Sequence, residues 1–454
     1  MKEAGINPRE LVVDMLMEIY AEKEYSHILI RNVLDKYEYL KESDRAFIKK
    51  VTEGTLERGI QIDYILNSYS KVKVNKMKPF IRSLMRMSVY QILFLSKVPD
   101  SAVCNEAVKL AQKRNFGPLK GFVNGVLRTI SRQKEEIAYP DEKKDPMHYI
   151  SVKYSLPEEL AKLLIKQHGI ELTRKMGEAF LQDRKLCVRV GEFLSKEEKE
   201  EVLQEWENAG VSAHKHPWLP YAYELEKTEK LTSLTGFNKG LYTVQDISSM
   251  LVCQVAGIKK GDYCIDVCSA PGGKALHACD KLQHTGTVDA RDVSTYKTDM
   301  ILENKARMGA DNLMVKVWDA TCKDEEAVGK ADVLLVDAPC SGLGVMGKKT
   351  DIKYHVKKEQ LKSIVALQKE IISTVQEYVK PGGTMIYSTC TITKEENQDM
   401  VRYIEETFPF HLESISEYLP SALRSEDTDK GFIQLLPLGE SDGFFIARFR
   451  RKED

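Results

Sequence analysis

The chain has 454 residues, 43% of them hydrophobic and 30% charged, with a formal net charge of −1, which is typical of a globular protein with several domains. No stretch has the 18 or more apolar residues of a membrane helix and the N-terminus lacks the apolar core of a signal peptide, so we expect a cytoplasmic protein that has no membrane partner. Nine cysteines without a CxxC pair favour free thiols in a reducing compartment and argue against a metal site.

Residues 1–135 are predicted to form an all-helical domain. Apolar residues recur there at three- and four-residue spacing, Asn7-Pro8 is a typical helix start, and Gly117-Pro118 separates the last two helices. This segment has 24 Lys and Arg against 16 Asp and Glu, whereas the rest of the chain is acidic. The excess of cations suggests a bound polyanion, although a solvated helical surface explains it equally well. The candidate phosphate-contacting residues are Lys71, Lys73, Lys76, Lys78, Arg82 and Arg86.

The middle of the chain is less informative. Residues 136–150 are polar, contain two prolines and lack periodicity, so they are predicted to be a linker. Residues 151–235 combine helical stretches with short strand-like runs such as Leu186–Val190, which indicates a small α/β module without an assigned role.

Residues 236–454 alternate strands and helices, which predicts a doubly wound, Rossmann-like α/β domain with a parallel sheet. Ligands of such sheets bind at the carboxyl ends of the strands. The first strand ends in a glycine-rich turn, Ser269–Lys274, whose backbone N–H groups suit an anion such as a carboxylate. Asp292 and Asp319 close the next two strands, where carboxylates can accept hydrogen bonds from ribose hydroxyls and an adenine amino group. Each aspartate alone is more often a strand-end cap, but their succession favours a nucleoside cofactor. The glycine-rich turn, in combination with the two cysteine motifs that close later strands, points to S-adenosylmethionine.

The fourth and fifth strands end at Asp337–Cys340 and Ser388–Cys390, and a final strand near the C-terminus is expected to complete the edge of the sheet. If the two strands are neighbours, both thiols face one ligand. A thiolate that adds to carbon 6 of cytosine makes carbon 5 able to attack a sulfonium methyl, provided that the base is unpaired or flipped out. Lys274 is the candidate cation that lowers the thiol pKa, and Asp337 can hold the amino edge of cytosine. The residues themselves do not show which cysteine attacks.

The motifs CSAPGGK (268–274), DAPCSG (337–342), STCTITKEEN (388–397) and SDGFF (441–445) resemble those of the RNA 5-methylcytosine methyltransferases of the Sun/Fmu type, in particular the bacterial enzymes for small-subunit ribosomal RNA. The resemblance covers nearly the whole chain, and residues up to about 135 look like the NusB-like RNA-binding domain that precedes the catalytic part. It implies a class I methyltransferase domain, a 16S rRNA or other structured RNA substrate, and a chain that we expect to be a monomer.

The resemblance also implies roles for individual residues. Cys390 would be the nucleophile and Cys340 would assist product release. The cofactor contacts would be Cys268, Ser269, Ala270, Pro271, Gly272, Gly273, Lys274, Asp292, Asp319 and Asp337. Lys348 and Lys349, candidate RNA contacts, stand where the family usually has an arginine-rich pair, and lysines cannot reproduce the bidentate geometry of arginines.

Two other functions remain open at this point. The chain could be a cytosine methyltransferase that acts on transfer RNA, another RNA or DNA. It could also be a non-catalytic RNA-binding or ribosome assembly factor that retains the sheet, although the two cysteines and the series of strand-end carboxylates argue against loss of activity.

Overall fold

The computed structural model describes residues 6–22, 26–182, 185–228, 231–283 and 285–453, which form two compact units. The first unit extends up to Gln182 and also contains Met346–Val356 from later in the chain. The second unit contains the other described residues. Among the described helices, none is long and apolar enough to span a membrane.

The regular structure described in the first unit is helical, which agrees with the prediction for residues 1–135. Its helices are α1 (Pro8–Glu22), α2 (Ser26–Lys36), α3 (Glu42–Glu57), α4 (Gly59–Tyr69), α5 (Pro79–Phe94), α6 (Asp100–Lys113), α7 (Lys120–Arg132), α8 (Pro146–Lys153) and α9 (Glu158–Phe180). The predicted start at Asn7 is confirmed, because its side-chain oxygen accepts hydrogen bonds from the N–H groups of Arg9 and Glu10. The apolar residues at helical spacing form the buried face of α1, since Val12, Met15 and Leu16 are almost fully buried.

The second unit contains two sheets. Its strands are β1 (Leu186–Val190), β2 (Ser212–Lys215), β3 (Ala222–Glu226), β4 (Tyr242–Val244), β5 (Tyr263–Asp266), β6 (Thr287–Asp292), β7 (Leu313–Val317), β8 (Ala331–Asp337), β9 (Val379–Thr389), β10 (Phe410–Leu412), β11 (Phe432–Leu435) and β12 (Phe444–Arg451). Its helices are α10 (Lys196–Asn208), α11 (Thr235–Asn238), α12 (Ile247–Ala256), α13 (Gly273–Leu282), α14 (Thr295–Met308), α16 (Lys358–Val375), α17 (Gln398–Thr407) and α18 (Glu426–Lys430), while α15 (Ile352–His355) belongs to the first unit.

The larger sheet has the order β10-β12-β9-β8-β5-β6-β7, with β11 also paired to β12. The strands β7, β6, β5, β8 and β9 are parallel, as predicted for a doubly wound domain. Successive residues of β8 point to opposite faces, so that Leu335 joins one hydrophobic core with α12 and α13, whereas Val336 joins another with α16 and α17. The carboxyl ends of the five parallel strands therefore meet at one edge, between two helical layers.

The structure differs from the sequence analysis at the C-terminal strand. β12 joins the sheet as the predicted final strand and pairs antiparallel with β9, but it does not form the edge of the sheet. β10 and β11 lie beyond it and pair with it. Both are only three or four residues long, so they carry too little alternation to be recognised from sequence.

The compact units also divide the chain at different points from the predicted domains. Helices α8 and α9, which include part of the predicted linker at 136–150 and the start of the module at 151–235, belong to the first unit. The four-stranded antiparallel sheet, β2-β3-β1-β4, takes its last strand from beyond residue 235. The boundaries of the two units are set by packing between residues distant in the sequence, which local amino-acid composition does not reveal.

The segment Met346–Val356 is held in the first unit by two helix ends. A carboxylate oxygen of Asp351 accepts a hydrogen bond from the backbone N–H of Ser26, the first residue of α2, at 2.6 Å. The side chains of Lys353 and Tyr354 donate to the backbone carbonyls of the last two residues of α3, at 2.5 and 2.8 Å. The carboxylate at the start of α2 complements the helix dipole, whereas burial lowers the pKa of Lys353 to about 7, so that its contact at the end of α3 is above all a hydrogen bond. The segment is thus an ordered part of the helical unit, in which Lys348 and Lys349 are exposed.

Candidate functional site

Two thiols lie at the carboxyl ends of neighbouring strands. Asp337, the last residue of β8, pairs with Ser388 of β9, which confirms that the two motif-bearing strands are adjacent. The chain continues from these residues to Cys340 and Cys390, whose Sγ atoms are 3.2 Å apart. Both cysteines are partly exposed. Two thiols at this edge can therefore reach the same ligand.

The contact between the two thiols affects the pKa of Cys340. The hydrogen bond with Cys390 raises this pKa well above the usual thiol range, and burial and the negative charges of Cys390, Glu396 and Asp337 add to the effect. The surroundings of Cys340 therefore favour its protonated form. Within the described ranges, no group of three or more His, Cys, Asp or Glu side chains is arranged to hold a metal ion.

Lys274 and Asp337 form an ion pair beside the thiols. The Nζ atom of Lys274 is 2.7 Å from one oxygen of Asp337, and it also lies 5.5 Å from the centre of the Phe444 ring. Burial lowers the pKa of Lys274, but the charge and hydrogen bond of Asp337, together with the charges of Asp266 and Cys390, raise this pKa overall. The other Asp337 oxygen accepts a hydrogen bond from the Ser388 hydroxyl at 2.8 Å. The site thus contains a fixed cation whose charge reaches Cys390.

The glycine-rich turn joins β5 to α13 at the same edge. Gly272 has a φ of 101° and caps α13, a conformation that residues with a Cβ rarely adopt. The backbone N–H of Ala270 donates to Asp292 at 2.9 Å, which ties the turn to the end of β6. Cys268 is partly exposed and packs against one of the two hydrophobic cores, and desolvation raises the pKa of its thiol. The remaining residues of the turn are Ser269, Pro271 and Gly273.

Asp266 was not among the predicted site residues, although it lies two residues before the CSAPGGK motif. It ends β5, is 1% exposed, and neither carboxylate oxygen makes a well-formed hydrogen bond with a described residue. Burial raises its pKa to about 7, against the opposing effect of Lys274. Burying a hydrogen-bond acceptor without a donor costs free energy, unless a ligand supplies the donor. Asp266 therefore belongs to the candidate binding site.

The two remaining strand-end aspartates differ from each other. Asp292 is buried and, besides Ala270, its carboxylate accepts the N–H of Val293 and pairs with Lys297 at 3.0 Å. Asp319 is exposed, two residues beyond the end of β7, and caps its own turn through the N–H and hydroxyl of Thr321, which lower its pKa. The ordinary role of a strand-end cap therefore describes Asp319 better than Asp292.

The loop before β12, which carries the SDGFF motif, packs against the loop that follows Cys340, and that loop is hydrogen-bonded to Cys390. The N–H of Gly344 donates to the carbonyl of Cys390 at 3.0 Å, and the N–H of Gly443 donates to the carbonyl of Gly344 at 2.9 Å. A Cβ on Gly344 would lie 1.9 Å from the Gly443 carbonyl oxygen, so only glycine fits there. The SDGFF motif thus packs directly on the thiol site, a contact that could not be read from its sequence.

Two further residues that sequence reasoning missed are Glu396 and Asn397. Both are fully buried and follow Cys390 by six and seven residues. Their side chains hydrogen-bond to residues on either side of the cysteines. The only signal for them was their position within the STCTITKEEN motif.

The candidate RNA-contacting cations fall into two groups. Lys71, Lys73, Lys76 and Lys78 are exposed on the connection between α4 and α5, and Arg82 is partly buried on the first turn of α5. Arg86 is instead committed to Asp63, with two hydrogen bonds of 2.7 and 2.6 Å, and stacks on the Tyr20 ring. Because its guanidinium is engaged inside the helical unit, Arg86 is not available to a phosphate in this arrangement.

Comparisons with known proteins show the family of the chain and proteins with a similar fold. The profile of the family described as "16S rRNA methyltransferase RsmB/F" matches residues 254–450, and that of the NusB family matches residues 6–132. The chain is 32% identical, over the full length of both proteins, to a "Probable ribosomal RNA small subunit methyltransferase B" of Bacillus subtilis (strain 168). The crystal structure of PH0851 has a TM-score of 0.79 at 22% identity and covers 99% of this chain and 100% of its own. A methyltransferase homolog protein from Pyrococcus horikoshii has a TM-score of 0.57 at 25% identity over 67% of this chain and 99% of its own.

Proposed function

Because the chain belongs to the 16S rRNA methyltransferase RsmB/F family, we propose that it methylates carbon 5 of a cytosine in 16S rRNA through a covalent cysteine adduct. It is an S-adenosylmethionine-dependent methyltransferase with a NusB-like RNA-binding domain. The observation that carries the finer proposal is the pair of thiols, 3.2 Å apart, at the sheet edge that also holds the glycine-rich turn. No other pair of groups described at this edge offers a comparable nucleophile.

The residues at the edge fit the cofactor. The turn at 268–274 leaves the start of α13 open to a carboxylate, and Asp292 and Asp319 are acceptors at the next two strand ends. The buried carboxylate of Asp266, which lacks a partner, suits a donor or cationic group of the ligand. When bound, S-adenosylmethionine supplies an electrophilic methyl group.

The charges around the thiols support Cys390 as the nucleophile. Either sulfur can donate in the hydrogen bond between Cys340 and Cys390, and the raised pKa of Cys340 favours the arrangement in which the Cys390 sulfur accepts. The nearby cation of Lys274 favours negative charge on the same sulfur. Cys390 then forms a bond from sulfur to carbon 6 of the cytosine, and the electron pair of the 5,6 double bond becomes available at carbon 5.

The same contacts support a role for Cys340 in release. The largest cause of its raised pKa is the hydrogen bond to Cys390, and this is lost once the Cys390 sulfur is bound to carbon 6. Cys340 then gives up its proton to solvent more readily, and its thiolate can accept the carbon 5 proton. Departure of that proton restores the 5,6 double bond and expels Cys390 as a thiolate. Asp337, fixed by Lys274 and Ser388, retains lone pairs for the cytosine amino group.

The substrate is tested by bisulfite sequencing of total RNA and of genomic DNA from a strain that lacks the gene. We expect one cytosine of 16S rRNA to lose its protection from conversion, and to regain it with the wild-type gene but not with a Cys390→Ser gene. Loss of protection in a transfer RNA or in DNA would replace the proposed substrate. Unchanged protection everywhere would favour the non-catalytic assembly factor.

Lys71, Lys73, Lys76 and Lys78 form the surface that we propose contacts RNA phosphates. Replacing Lys71 and Lys76 by glutamate should weaken RNA binding and reduce the salt dependence of log K by about 0.7 to 0.9 for each lost phosphate contact. Fluorescence anisotropy at several salt concentrations measures this slope. Lys97→Glu makes the same substitution at one exposed lysine beyond the other end of α5 and should leave the slope unchanged, whereas Lys71→Glu alone, with an equal charge change, should reduce it. Equal slopes for the double variant and the wild type would exclude this surface.

A further inference from the structure

The loops that carry the two cysteines are joined by one buried carboxylate. Glu396 is 0% exposed and accepts hydrogen bonds from Ser341, through its N–H at 2.8 Å and its hydroxyl at 2.6 Å, and from the Thr391 hydroxyl at 3.1 Å. Ser341 directly follows Cys340, and Thr391 directly follows Cys390. The two hydroxyls are also 2.8 Å from each other. A single side chain thus fixes the residue next to each thiol.

Other neighbours complete this arrangement. Gln368 of α16 donates from its amide nitrogen both to Glu396, at 3.2 Å, and to the carbonyl of Pro339, the residue before Cys340. The Thr393 hydroxyl donates to Glu396 at 2.8 Å. All donors described for this carboxylate are neutral groups, so its charge is stabilised by hydrogen bonds, which are stronger to an ion than to a neutral acceptor. An amide in its place would accept fewer of them.

Asn397 secures the Cys390 loop from the other side. Its side-chain oxygen accepts the Thr389 hydroxyl at 2.6 Å, and its nitrogen donates to the Thr391 carbonyl at 3.1 Å. Cys390 is therefore held through both of its chain neighbours. Glu396 adds what Asn397 lacks, a direct connection from this loop to the loop of Cys340.

We propose that Glu396 is a positioning residue, which holds the two cysteine loops in the register that brings their sulfurs together. It contacts neither sulfur directly in the described network and so acts through Ser341 and Thr391. Its catalytic consequence rests on the proposed function, since a displacement of about 1 Å between reacting groups can cost roughly 100-fold in rate. Its geometric consequence, the proximity of the thiols, does not depend on the reaction.

The geometric consequence is tested in the full-length protein with diamide, an azo compound that takes up two hydrogens as two thiols form a disulfide. Peptide mass spectrometry after alkylation then measures the rate at which Cys340 and Cys390 become linked. Glu396→Gln keeps the shape of the side chain but removes its charge, and we expect it to slow this reaction about tenfold, because looser loops lower the effective concentration of the thiols. Glu395→Gln, the same change at the exposed neighbouring position, should oxidise like the wild type. A wild-type rate for Glu396→Gln would overturn the proposal.

The catalytic consequence has a separate measurement. Glu396→Gln should lower kcat about 100-fold and leave the KM for S-adenosylmethionine unchanged within about threefold, because the glycine-rich turn is untouched. A KM that rises as much as kcat falls would indicate general structural damage and overturn the positioning role. If the variant does not fold, Ser341→Ala, which removes one donor, replaces it and should slow disulfide formation several-fold, and an unchanged rate would count against the proposal. If the wild type forms the disulfide rapidly but methylates no cytosine, the proposed function fails while the positioning role stands.

Discussion

Replacing Cys390 by serine is expected to lower the rate of methyl transfer on the order of 10⁴-fold or more, the scale seen when an enzyme loses its nucleophile. A hydroxyl has a far higher pKa than a thiol, so Lys274 cannot hold a useful fraction of it as an anion. The serine oxygen is also a weaker nucleophile toward carbon 6. Transfer of a labelled methyl group from S-adenosylmethionine to RNA measures the loss.

The binding of S-adenosylmethionine should survive this substitution, because the cofactor contacts that we propose lie on the turn at 268–274 and on other strands. Isothermal titration of the Cys390→Ser protein should give an affinity within about twofold of the wild type. Cys322→Ser provides the matched control, since Cys322 is an exposed cysteine outside the thiol pair and its loss should leave turnover unchanged. Unchanged turnover of Cys390→Ser would refute the assignment of the nucleophile.

Sequence patterns predicted the parts of this site that follow from regular structure. Parallel strands end at a common edge, so motifs at strand ends predicted that Cys340 and Cys390 would face one ligand if their strands were neighbours, and β8 and β9 are neighbours. The helical domain was predictable for a similar reason, because the apolar period of an amphipathic helix is visible over many turns. In both cases a local sequence pattern recurs often enough along the chain to identify the strands or helices.

Contacts between distant polar residues were not predictable in this way. Glu396 lies among polar residues in its motif, and nothing local marks it as a buried acceptor for Ser341, 55 positions earlier. Arg86 was included with the basic surface because its partner Asp63 belongs to another helix. Met346–Val356 lies within residues 236–454, which the sequence assigned to the α/β domain. Its side chains nevertheless bond to the ends of two helices of the first unit. Such pairs depend on tertiary proximity, which the spacing of residues along the chain does not encode.

Replacing Cys340 by serine is expected to stop the reaction after the first chemical steps. Cys390 can still attack, because Lys274 and Asp337 are unchanged, but the proton on carbon 5 has lost its acceptor. A serine hydroxyl does not become a sufficient base when the contact with Cys390 is lost, since its pKa lies far above that of a thiol. The variant should therefore accumulate about one covalent protein–RNA adduct per enzyme molecule in the presence of S-adenosylmethionine.

A denaturing gel with labelled RNA detects this adduct as a band that resists heat and detergent. The double variant Cys340→Ser with Cys390→Ser is the control, because it lacks the sulfur that forms the bond and should show no such band. RNA with fluorine at carbon 5 of cytosine provides the reference, since fluorine cannot leave as a cation and should trap the wild-type adduct. If that RNA traps the wild type while Cys340→Ser forms no adduct on ordinary RNA, Cys340 does not act in release, and its contact with Cys390 serves only to prepare the nucleophile.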